Sequence, residues 1–150
     1  MPGTMLILRG VTNLKYWPQY PNGALDEESA LQYAKKRGYT GEVLKVSGET
    51  GDHSKQTNMA LGELQHDSSI TALYGFSGGG YNVYHILNRL SQDLRNRLEL
   101  VVVLGVEAAK LSEGAVDSKR YNATWELVYR NDPPKPMGHI DGPKWLLTGH

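Results

Sequence analysis

The chain contains no cysteine, which excludes disulfides, thiolate catalysis and zinc–thiolate sites and suits a reducing compartment. Net charge is lacking as well. Sixteen basic residues balance sixteen acidic ones, so no field of one sign draws the chain to nucleic acid, an acidic membrane surface or a strongly charged substrate. The expected partner is a small neutral molecule, with no nucleic acid and no membrane, and the chain itself is expected as a monomer or homodimer. No apolar run approaches a membrane-spanning length. The first residues, Met1 to Arg9, lack the basic stretch and long apolar segment of a secretory signal, and a cytoplasmic location is expected. Internal repeats, linkers and low-complexity tracts are also missing. At 150 residues, the expectation is one domain over 1–150, able to bury roughly 70% of the surface its unfolded chain exposes.

What is present is an alternation of strand and helix patterns from the first residues to about Arg130, which predicts an α/β fold with a parallel sheet of roughly five strands between helices, a three-layer sandwich in flavodoxin-like strand order. Met5 to Leu8 reads as the first strand, followed by a turn-rich loop, Gly10 to Gly23, that carries Tyr16, Trp17 and Tyr20. A helix is predicted from a cap at Asp26 through Ala30, Leu31 and Ala34 to a stop at Gly38, with Lys35-Lys36-Arg37 favourably placed at its negative end. Glu42 to Val46 reads as a second strand, and Ser54 to Gln65 as a helix with Met59, Ala60, Leu61 and Leu64 on or near its buried side. Leu98 to Leu104 is almost continuously apolar, as in a central strand covered on both faces. Ala108 to Val116 is a weaker helix or an irregular connection, and Ala123 to Arg130 alternates as a fifth strand.

The segment Ile70-Thr71-Ala72-Leu73-Tyr74-Gly75-Phe76-Ser77-Gly78-Gly79-Gly80 joins a short apolar strand to a Gly-x-Ser-x-Gly turn. Val83, Ile86, Leu87, Leu90 and Leu94 then recur at helical spacing. Strand, turn and helix in that order form a nucleophile elbow, in which the serine is held in a strained conformation and side chains at Gly75 or Gly79 would clash. A glycine-rich turn at a helix N-terminus also suits an anion. The segment has no Walker lysine and threonine, and its glycines do not fit Gly-x-Gly-x-x-Gly, so both nucleotide-binding motifs are poor matches.

A serine hydroxyl needs a base within hydrogen-bond reach and a third group to orient that base. His85 lies about two turns down the elbow helix and points away from Ser77; His66 falls at the opposite end of the sheet. His53 follows the second strand on the correct edge, beside Asp52, whose simpler use is a helix cap. Asp132 follows the fifth strand in Asn131-Asp132-Pro133-Pro134-Lys135-Pro136, and His139 stands seven residues further on. Loops at the carboxyl ends of parallel strands form the ligand crevice, so Asp132 and His139 are the candidate acid and base. His150, after the apolar Trp145-Leu146-Leu147 that would anchor the tail, is the second candidate base.

Gly75-Phe76-Ser77-Gly78-Gly79, Asp132 after the fifth strand and His139 in the following loop together resemble the α/β-hydrolase superfamily, in the chain order Ser, Asp, His. The compact, lidless, cutinase-like serine esterases are the nearest in layout. The resemblance implies a serine hydrolase without metal or other cofactor, in which Ser77 attacks a small ester or thioester, His139 shuttles the proton and Asp132 fixes the imidazole tautomer. It also implies an oxyanion hole from the backbone N–H of Gly78 and one of Val11 or Thr12. Tyr16, Trp17 and Phe76 are candidate substrate contacts. The missing cysteines and signal segment separate the chain from secreted cutinases, so a polyester substrate is not implied, and its shortness leaves an open site without a lid. Two other readings stay open: a non-catalytic flavodoxin-like module that binds an anionic ligand at the glycine-rich turn, and a degenerate hydrolase with a partner-binding role.

Overall fold

The computed structural model describes residues 3–9, 24–46, 54–76, 78–106, 116, 118–129 and 145–148. Their order is β1 (Thr4–Leu8), α1 (Ala24–Lys36), β2 (Thr40–Val43), α2 (Ser54–His66), β3 (Ile70–Phe76), α3 (Gly78–Leu87), α4 (Gln92–Arg97), β4 (Leu100–Val106), a short 3-10 turn (Ser118–Arg120), β5 (Thr124–Tyr129) and β6 (Trp145–Thr148). The strands form one sheet in the order β2-β1-β3-β4-β5-β6, and every neighbouring pair is parallel. The five expected strands are thus joined by a sixth. Trp145 to Thr148, read from sequence as an apolar anchor, pairs with Trp125 to Val128 at the sheet edge.

Successive side chains of a strand point to opposite faces, and the core divides accordingly. Met5, Ile7, Ala72, Tyr74, Leu100 and Val102 face one side and pack with Ala30 and Ala34 of α1. Leu6, Leu8, Leu73, Val101, Val103 and Trp125 face the other, with Ala60 and Leu64 of α2 and Val83, Ile86 and Leu87 of α3. The register between β1 and β3 slips at Thr4/Met5, where Thr4 pairs with Ile70 but Met5 with Ala72. Thr71 is the extra residue, and the bulge lets Ile70 join Leu73 on the α3 side. No helix among the described residues is long and apolar enough to cross a membrane.

Several boundaries differ from the sequence expectation for identifiable reasons. The first helix begins at Ala24, so Asp26 lies within it rather than capping it. It stops as expected, with Gly38 at φ 85°, a left-handed conformation that suits glycine after a helix end. Arg37 has a second role beside the helix dipole, pairing with the buried Glu126 of β5. The second strand lies at Thr40–Val43 instead of Glu42–Val46, because its ladder with β1 pairs Thr4 to Ile7 with Thr40 to Val43; within it Gly41 lets α1 approach closely, as a Cβ there would stand 2.7 Å from Leu31 Cδ2. Met59 is 42% exposed, since the buried stripe of α2 runs through Gln56, Ala60 and Leu64, one turn apart each. The apolar spacing past Ser77 spans two helices. Arg89 N–H bonds to Ile86 O as the first one tightens and ends, and Ser91 caps the second by accepting from Leu94 N–H.

Candidate active site

Because every strand runs the same way, their carboxyl ends share one edge of the sheet. At β1 the order reverses, with β2 on one flank and β3 on the other. Such a switch point opens a crevice beyond the strand ends. β3 reaches this edge at Phe76 and α3 starts at Gly78, which leaves a single residue, Ser77, between strand and helix.

The two glycines that flank that residue are required by close packing. A Cβ on Gly75 would lie 2.5 Å from Gly79 O and 2.6 Å from Val83 Cγ2. A Cβ on Gly79 would overlap Leu8 O outright and lie 2.8 Å from Arg9 O. These obstacles are mostly backbone atoms, which cannot rotate out of the way as a side-chain tip can. The first turn of α3 therefore rests directly on the carboxyl end of β1. Its leading N–H groups, beginning at Gly78, have no carbonyl within the helix to bond, and with the helix dipole they form a local positive end.

Behind this corner lies a buried polar relay. Gln56 is 2% exposed and Asn82 is fully buried. Gln56 Nε2 donates to Arg9 O at 2.9 Å and to Val46 O at 2.8 Å, which commits both of its N–H bonds. Its Oε1 accepts from Asn82 Nδ2 at 2.5 Å. The two carboxamides thereby fix each other's orientation. Asn82 Oδ1 and Thr57 Oγ1 are buried without a hydrogen-bond partner among the described residues. On the same edge the Arg9 guanidinium donates from Nη2 to Lys45 O at 2.6 Å.

Of the residues singled out from sequence, Ser77, Asp132, His139, Val11, Thr12, Tyr16, Trp17, Tyr20, Asp52, His53 and His150 lie outside the described residues. Gly78 opens α3 at the expected point. Phe76 is half-buried and packs into the core on the α1 side, with its neighbour Tyr74. His85 is exposed on α3, and His66 is exposed at the far end of α2. Gln56 and Asn82 escaped the sequence reading. The signal for both was a polar side chain on an apolar helical stripe, Gln56 four residues before Ala60 and Asn82 four before Ile86. Comparison with known protein families, curated proteins and solved structures finds no match to the chain.

Proposed function

We propose that the chain is a serine hydrolase of compact α/β-hydrolase type, which cleaves a small ester or thioester through an acyl-enzyme on Ser77. The observation that carries this reading is the double glycine contact: Gly75 lies against Gly79 and Val83 of α3, and Gly79 against Leu8 and Arg9, so tightly that neither tolerates a Cβ. That is the steric requirement of a nucleophile elbow.

In this mechanism Ser77 Oγ attacks the acyl carbon while His139 takes its proton, and Asp132 holds the imidazole in the required tautomer. The developing oxyanion is met by the N–H of Gly78 and by that of Val11 or Thr12. Collapse expels the leaving group with the proton from His139, and water repeats the sequence to release the acid. Chain lengths are compatible with these roles. With neighbouring strands about 4.8 Å apart, β5 stands roughly 10 Å from β3. Asp132, three residues past Tyr129, reaches roughly 10 Å at full extension. His139, ten residues past Tyr129, has ample chain. A second reading gives the base to His150, because β6 is parallel to β5 and ends at Thr148 on the same edge. That tether is shorter: two residues span roughly 7 Å of the roughly 14 Å between β6 and β3, and the two side chains must close the remainder.

The test is intact-mass spectrometry after exposure to a fluorophosphonate, with p-nitrophenyl acetate and butyrate turnover read in parallel and Ser77→Ala as control. One adduct that maps to Ser77, with turnover that is lost in the variant, supports the reading. No adduct on folded protein would overturn it in favour of an anion-binding turn.

A further inference from the structure

We draw no further inference here: the strongest candidate, the buried Gln56–Asn82 carboxamide pair between α2 and α3, belongs to the strand-to-helix corner already described, and nothing in the structure shows what Asn82 Oδ1, which has no hydrogen-bond partner among the described residues, would bind.

Discussion

Two helical glycines of this protein should respond to the same substitution with opposite signs. In a helix interior, alanine is favoured over glycine by about 0.5–1 kcal/mol. At Gly62 in α2 an added Cβ meets nothing within 4 Å, so Gly62→Ala should gain most of that amount. At Gly79 the same Cβ overlaps Leu8 O and comes within 2.7 Å of Leu8 C and 2.8 Å of Arg9 O. Overpacking a rigid interior typically costs about 1–3 kcal/mol, and the obstacles are backbone atoms at the end of a buried strand, so the upper part of that range applies. After the helical gain is subtracted, Gly79→Ala should lose roughly 1–2 kcal/mol. For a chain of this size each kcal/mol moves the melting temperature by about 3–4 °C. Thermal unfolding followed by circular dichroism should therefore show Gly62→Ala a few degrees above wild type and Gly79→Ala several degrees below it. If Gly79→Ala melts at or above Gly62→Ala, the first turn of α3 does not rest on β1 as described, and the steric argument for the proposed elbow is lost.

On the acyl-transfer reading, Asp132→Asn should lower kcat by roughly 10³–10⁴-fold while the protein stays folded, and His139→Ala should abolish ester turnover; loss confined to His150→Ala would move the base to β6. The Glu42 carboxyl is pushed above its usual 4.5 by partial burial first, then by repulsion from Glu63 and Asp67. A raised folded-state pKa means that its stabilising contribution is complete below pH 4.5 and is lost as pH rises through the folded value, so Glu42→Gln should gain in melting temperature over wild type between pH 4 and 7. Parallel pH curves for the two proteins would refute this. Burial also pushes the Tyr121 phenol up to about 12, where it donates to Leu87 O and meets Trp125 edge-on at 5.7 Å. Tyr121→Phe should remove one late step from the alkaline phenolate titration; an unchanged titration above pH 11 would contradict the assigned environment.

Strand and helix order was readable because the short continuous apolar runs of β1, β3 and β4 and the apolar stripe of α3 follow directly from burial, on both faces of the strands and one face of the helix. The Gly-x-Ser-x-Gly turn was readable for the same reason: the apolar strand before it and the apolar helix after it give the glycines their setting. The break between α3 and α4 was hidden, since Leu90 and Leu94 keep the helical spacing through a turn that Ser91 re-caps. The start of β2 was hidden as well, since Thr40 and Gly41 carry no apolar pattern, although Gly41 packs beneath Leu31. β6 is too short for periodicity to separate it from an apolar anchor. In the site, Asp132 and His139 were chosen by their place after β5, but their mutual geometry belongs to a proline-rich segment that carries no period. Gln56 and Asn82 were invisible because a polar residue on an apolar stripe looks like an imperfection until its partner on another helix is known.

The seat of α3 on β1 changes what counts as the transferable unit of this corner. A designer who grafted residues 75–79 onto another parallel sheet would move the turn without the surface on which the following helix rests, because the carbonyls of Leu8 and Arg9 define how high that helix sits. The graft would need both segments at matched height. Equally, on the acyl-transfer reading, directed evolution that diversifies the end of β1 would alter the seat of the helix that follows Ser77, so productive variation is expected in the loops beyond Arg9 and not in the strand itself.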